Sequence, residues 1–229
     1  MKHLKRHINI AINKEYIEIQ KYAFRKYKIK TVENKHTHLV PEELEQLERL
    51  SLTDKHMKLQ KSLDAFLFCC YAGMRYSDFT NLSKKNIVDI NQETWLIYKS
   101  VKTGTEVRLP LYLLFAGKGI VILNKYRNNL ENFFRLRDNS NINKDLIIIA
   151  KLAGLSKKIS FHTARHTNAT LLIYNGVNIT TVQKLLGHKS VKTTQVYTNI
   201  MDMTIVHDLE KIKQAALGIK KKTDNSFNK

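Results

Sequence analysis

The densest polar run in the chain is Phe161-His162-Thr163-Ala164-Arg165-His166-Thr167. His162 and Arg165 stand three apart, so on a helix both project from one face and can reach a single anion. His162 and His166 stand four apart, a metal-ligand spacing, but Thr163 occupies the place where a zinc protease needs glutamate and no third ligand follows, so no metal is expected. Further along, Leu185-Leu186-Gly187-His188 sets a histidine just beyond a helix end, and Thr193-Thr194-Gln195-Val196-Tyr197-Thr198 comes next. Much earlier, Gly73-Met74-Arg75-Tyr76-Ser77-Asp78 places an arginine directly after an apolar stretch, with a carboxylate three positions on. Each segment taken singly has a plainer reading. Arg75 can be a surface residue at a helix end, His188 a C-terminal cap, Tyr197 one of ten tyrosines in a core or on a surface, and Lys102 one of many lysines with Lys99 close by. Asp78 is expected to orient an arginine or to fix local structure.

Together the segments resemble the signature of the tyrosine recombinase family, the phage-integrase type. That family carries a first arginine box with an acidic residue three positions later, a β-hairpin lysine, a His-x-x-Arg-His box, a Leu-Gly-His box and a tyrosine nucleophile, in this order. The matching positions here are Arg75 with Asp78, Lys102, His162 through His166, His188 and Tyr197. The resemblance spans about residues 39–198, and five matches in order are far more specific than any one of them. It implies a site-specific recombinase acting on double-stranded DNA, of the kind that integrates and excises mobile elements, with Arg75, Lys102, His162, Arg165, His188 and Tyr197 as its catalytic set and no cofactor.

The implied chemistry is coherent. Transfer of a phosphodiester needs a nucleophile, a clamp for the charge of the phosphorane and an acid for the departing oxygen. Tyr197 would attack and form a 3′-phosphotyrosine. Arg75 and Arg165 would grip the nonbridging oxygens, since guanidinium is planar, charged and able to bond bidentately. His188 would add a donor to the same phosphate, and Lys102 would protonate the leaving 5′ oxygen. His162 is the expected general base, because a phenol with an ordinary pKa of about 10 stays protonated at neutral pH. The phosphotyrosyl bond keeps the ester energy, so rejoining needs no ATP. A nucleophile on a mobile segment can assemble only on DNA, so displacement of Tyr197 in the free protein is compatible with this reading.

The elements that must position these residues read as mainly α with a small antiparallel β-sheet, a tyrosine recombinase catalytic-domain-like architecture. Residues 1–20 show apolar positions at helical spacing (Leu4, Ile8, Ala11, Ile12) and predict an amphipathic helix, similar to the last helix of a truncated core-binding domain. Residues 21–38 are expected to form a basic linker, 39–217 the catalytic domain and 218–229 a disordered tail. Pro41 followed by Glu42 and Glu43 marks a helix start. Residues 59–71 predict a buried helix ended by Gly73. Period-two patterning over 87–111, broken by Thr103-Gly104, predicts strands with a hairpin at 102–105. Further helices are expected over 120–137, 145–153, 163–174 and 182–186, and a last amphipathic one over 202–216, with Val206, Leu209, Ile212 and Ala216 on one stripe. By resemblance, that helix joins neighbouring subunits in a multimer on DNA.

Charge gives the partner class independently. The chain of 229 residues carries 39 Lys and Arg against 20 Asp and Glu, a formal net charge of +19. An excess of this size repels itself in the folded state and points to a polyanion. No apolar run approaches the roughly 20 residues needed to cross a bilayer, and no signal peptide is evident. The adjacent Cys69 and Cys70 are poorly placed for a mutual disulfide and suit a reducing compartment, so a cytoplasmic location is expected. A helical DNA-binding module without catalysis is the competing class, and a topoisomerase competes among enzymes. A binding module has no use for a phosphate clamp, a hairpin lysine and a tyrosine together. The Leu-Gly-His box and the short length argue against the topoisomerase.

Overall fold

Proline and glycine set the boundaries that matter most for the site. The computed structural model describes residues 1–25, 27, 37–197 and 213. They fall into two units, Met1–Lys35 and His36–Lys229. In the first, helix α1 spans Lys2–Asn13, shorter than the expected 1–20, because the chain leaves helical geometry at Glu15, with φ 61°. A single 3₁₀ turn, Ile19–Lys21, follows. Of the expected linker, residue 26 and residues 28–36 lie outside the described residues, as do the expected last helix, apart from residue 213, and the tail.

In the second unit Pro41 opens α2 (Pro41–Glu48), where a missing N–H costs nothing. Glu43 reaches back to accept from the Val40 N–H at 2.9 Å, and Leu44 and Leu47 are buried. Helix α3 (Gln60–Ala72) is buried on every side over residues 62–72, which makes it the central helix. Its two polar exceptions are satisfied: Ser62 donates to Asp145 at 2.6 Å, and Asp64 accepts from Lys125 at 2.9 Å and from the Tyr126 hydroxyl at 2.8 Å. Cys69 and Cys70 lie in this core as free thiols, and burial pushes both thiol pKa values up.

Gly73 ends α3 in the left-handed region, and α4 (Tyr76–Thr80) follows at once. Phe79 of α4 packs its ring against Phe68, Phe133, Phe134 and Phe161 at centroid distances of 5.3 to 6.1 Å. That cluster fixes the segment bearing Arg75 to α3 and to the helices beyond. Strands β1 (Ile87–Ile90), β2 (Glu93–Lys99) and β3 (Glu106–Pro110) form an antiparallel sheet in sequence order. Leu96, Tyr98, Val107 and Leu109 fill its buried face, the period-two pattern of a sheet covered on one side.

The remaining helices are α5 (Lys118–Lys125), α6 (Leu130–Phe134), α7 (Asn139–Leu152), α8 (Phe161–Tyr174), α9 (Ile179–Leu186) and α10 (Lys192–Gln195). The single helix expected over 120–137 is thus two. The Asn129 side chain accepts from the Asn132 N–H at 3.3 Å and starts α6 afresh, the local competition that makes asparagine a cap. Helix α7 begins well before 145 because Asp138 caps it, accepting from the Asn141 N–H at 3.0 Å. Helices α8 and α9 also start earlier than expected, capped at Ser160 and Asn178. Among the described residues no helix is long and apolar enough to cross a membrane.

Candidate active site

Helix α8 packs along α3 and holds the arginine around which the motif segments gather. Arg165 is 1% exposed. Its Nη1 donates to the Gly73 carbonyl at 2.7 Å and its Nη2 to the Leu186 carbonyl at 2.6 Å. These are carbonyls at the C-terminal ends of α3 and α9, where helix dipoles favour a cation. One guanidinium therefore ties the exit of α3 to the exit of α9, and three of its five N–H donors are left for other partners. Burial, with the nearby Arg75 charge, lowers its pKa to about 10, so it remains a cation at neutral pH.

The close approach at the first exit depends on glycine. A Cβ on Gly73, at φ +66°, would lie 2.5 Å from Asn168 Oδ1 and 2.9 Å from Leu186 Cδ2. Asn168 sits one turn after Arg165 and donates from Nδ2 to the Cys70 and Tyr71 carbonyls, each at 2.9 Å. It thus caps the last turn of α3, satisfying carbonyls that a helix end leaves orphaned.

Arg75 lies immediately before α4. Its Nη1 donates to Ser100 Oγ at 3.2 Å and to Asp78 Oδ2 at 3.4 Å. Asp78, which is buried, accepts from the Val101 N–H at 2.8 Å and from Ser100 Oγ. The carboxylate therefore does both things expected of it, orienting the arginine and pinning the β2–β3 hairpin to the start of α4. At the other side of the hairpin Thr103 Oγ1 donates to the Gly187 carbonyl at 3.2 Å. Lys102 is exposed between these two fastened points.

Gly187, at φ +63°, ends α9 and brings its Cα so close to the sheet that a Cβ would meet Val107 Cγ2 at 2.6 Å. His188 follows, 8% exposed. Its N–H donates to the Gln183 carbonyl and its own carbonyl accepts from Gln183 Nε2, both at 3.0 Å. Its Nδ1 shares a hydrogen bond with Thr194 Oγ1 at 2.9 Å. Burial first, then the positive charges of Arg165, Arg75, His162 and Lys102, push its pKa down to about 4. The imidazole is therefore neutral at pH 7.

Thr194 belongs to α10, and the Tyr197 N–H donates to its carbonyl at 3.1 Å. The segment bearing the tyrosine is thereby latched to His188. Tyr197 is buried, at 4% exposure. Its hydroxyl is 3.1 Å from His166 Nδ1. Burial raises its pKa, against the opposing pull of the Arg165 and Arg75 charges. His162 is exposed and stands edge-on to His166, with ring centroids 4.4 Å apart. Among the described residues no third metal-ligating side chain joins this histidine pair. Lys189 and Lys192, also exposed, flank the tyrosine segment.

Arg165 thus bonds the carbonyls of Gly73 and Leu186, two residues before Arg75 and His188 in the chain, and His188 and Tyr197 both bond Thr194, with His162 against His166 and Lys102 on the adjoining hairpin. Sequence reasoning missed Ser100, Asn168, Thr194 and the Tyr197–His166 pairing. Only the last carried a signal, since His166 stands within the same box as Arg165 and one turn from His162.

Comparison with known proteins agrees with the architecture. Residues 37–203 match the model of the phage integrase family. A tyrosine recombinase of Pseudothermotoga lettingae is 30% identical over 181 residues, covering 77% of this chain and 60% of that protein. Tyrosine recombinase XerC of Rickettsia prowazekii is 30% identical over 159 residues, covering 66% and 49%. The chain thus spans about half the length of the curated relatives it matches. Among solved structures, a lambda integrase fragment in a dimer bound to a core site aligns with a TM-score of 0.65 at 20% identity, over 85% of this chain and 69% of that one. The XerA recombinase aligns at 0.60 and 22% identity, over 92% and 82%. At these identities the structural likeness speaks for the fold.

Proposed function

The chain belongs to the phage integrase family, and on that premise we propose that it cuts and rejoins double-stranded DNA at specific sites through a 3′-phosphotyrosyl intermediate on Tyr197. The observation that carries this reading is the meeting of the motif segments at Arg165, whose guanidinium is fastened on one side to Gly73 and Leu186 and keeps donors for a phosphate. Arg75, held by Asp78 and Ser100, shares the clamp. His188, neutral and bound at Nδ1 by Thr194, turns Nε2 to the same phosphate. Lys102 protonates the 5′ oxygen as it leaves, and a histidine of α8 takes the tyrosine proton, His162 in the sequence reading. Donors fixed before the reaction stabilise the developing charge without reorganising, and losing one costs on the order of 10²–10³ in rate.

The substrate class is duplex DNA, for which the net charge of +19 is the long-range support. The proposed setting is integration and excision of a mobile element in the cytoplasm, by a multimer joined through residues 202–216. Replacing Leu209 and Ile212 with polar residues should then impair recombination more than binding to a single site.

The direct test is a nicked duplex from which the cut strand end diffuses away, so that a covalent adduct accumulates and is read on a denaturing gel. Wild-type protein should form the adduct and Tyr197→Phe should not. Binding without adduct by wild-type protein would favour the non-catalytic reading.

A further inference from the structure

The hydroxyl of Tyr197 does not meet the histidine that the sequence reading makes its base. It meets His166, at 3.1 Å from Nδ1, and both side chains are nearly enclosed, at 4% and 7% exposure. His166 in turn has the exposed His162 edge-on against it, at 4.4 Å between ring centroids. The three rings form a file from the interior to solvent: phenol, buried imidazole, exposed imidazole. We propose that His166 takes the proton of Tyr197 during strand cleavage and that His162 is the outlet through which this proton exchanges with solvent.

This rests on the recombinase reading above and changes the assignment within it. As the Tyr197 Oη–phosphorus bond forms, the Tyr197 O–H bond breaks and its proton moves to His166 Nδ1. The phosphorus–O5′ bond breaks, and the 5′ oxygen receives a proton from Lys102. The step needs the neutral His166 tautomer with its hydrogen on Nε2, leaving Nδ1 as acceptor. In rejoining, the attacking 5′ hydroxyl returns its proton to Lys102 and His166 returns one to Tyr197. Geometry favours His166 because a general base must lie within hydrogen-bond reach of the proton it removes, and 3.1 Å satisfies this.

His162 at the mouth then has a second use. A proton left on an enclosed imidazole faces the positive charge of Arg165, its neighbour in the chain, and is driven outward. His162→Asn should accordingly slow cleavage less than His166→Asn does.

The test measures adduct formation on a pool of nicked duplexes randomised in sequence around the nick, at low salt. His166→Asn and His166→Gln should slow the adduct on the order of 10²–10⁴-fold, the usual worth of a general base. A ring-fluorinated tyrosine at position 197, whose phenol ionises near neutral pH, should restore most of that loss in either variant, because such a nucleophile needs no base. A merely structural role for His166 would show no such rescue. Thermal melting checks that each variant folds. The fluorine resonance of the labelled wild-type protein, read without DNA, must move on His166→Gln substitution if the hydrogen bond exists. Variants as fast as wild type, a slow variant that the fluorinated residue does not rescue, or an unmoved resonance would overturn the assignment and leave the recombinase reading intact. Absence of adduct from wild-type protein across the pool would overturn both.

Discussion

Protonating His188 should loosen the segment that carries Tyr197, and the size of the effect follows from its surroundings. The imidazole pKa falls from 6.5 to about 4 on folding, through burial first and then the charges of Arg165, Arg75, His162 and Lys102. The unfolded chain therefore binds the proton more readily than the folded one between these values. Stability from this group is fully present above pH 6.5 and is lost as pH falls towards 4. Each pKa unit is worth about 1.4 kcal/mol, so lowering the pH from about 7.5 to about 5 should remove about 2 kcal/mol. Urea unfolding of wild-type protein and His188→Gln at both pH values isolates it, since groups not coupled to His188 contribute equally to both. The stability gap between the two proteins should shrink by that amount at the lower pH. A gap independent of pH would refute the claim that His188 is buried among cations, whatever the absolute stabilities.

Gly187→Ala should destabilise the fold by about 2–3 kcal/mol, from left-handed backbone strain plus the contact with Val107 Cγ2, measured as a lowered denaturant midpoint. Combining it with Val107→Ala should recover only the steric part. Asp78→Ala strips Arg75, Ser100 and the Val101 N–H of a shared acceptor. It should cost about 2–3 kcal/mol and slow adduct formation, whereas Asp78→Asn, which can still accept from Val101, should fold better than it cleaves. DNA affinity should fall on the order of tenfold or more between low and physiological salt, as counterion release requires, and fluorescence anisotropy titrations showing no change would count against the electrostatic reading.

What could be read from the sequence was whatever a local pattern encodes. The apolar run of α3 ended by Gly73, the proline that opens α2 and the Thr103-Gly104 turn each announce an element through residues close together in the chain. The missed boundaries are those where a side chain decides between two local options: Asn129 divides one helical stretch into α5 and α6, and Asp138 starts α7 early. The candidate site divides in the same way. Its motif residues stood out by type and spacing, but their supports did not. Asn168 is recognised only by the carbonyls of Cys70 and Tyr71, which lie about a hundred residues away. Ser100 matters only because Asp78 and Arg75 meet it. Nothing in the spacing distinguishes Thr194 from Thr193 until His188 folds back onto it.

Arg165 is anchored to main-chain oxygens, those of Gly73 and Leu186, and an acceptor supplied by the backbone is present whatever side chain stands at its position. Substitution cannot delete it; only displacement of a helix end can. The anchor is therefore insulated from most of the sequence drift around it, and its vulnerability is concentrated in the two left-handed glycines, Gly73 and Gly187, that set where α3 and α9 stop. Mutational robustness and fragility thus lie side by side. The exposed face of α9 is free to diverge while the two turns are not, and a variant that alters how DNA is gripped can arise without disturbing how the arginine is held.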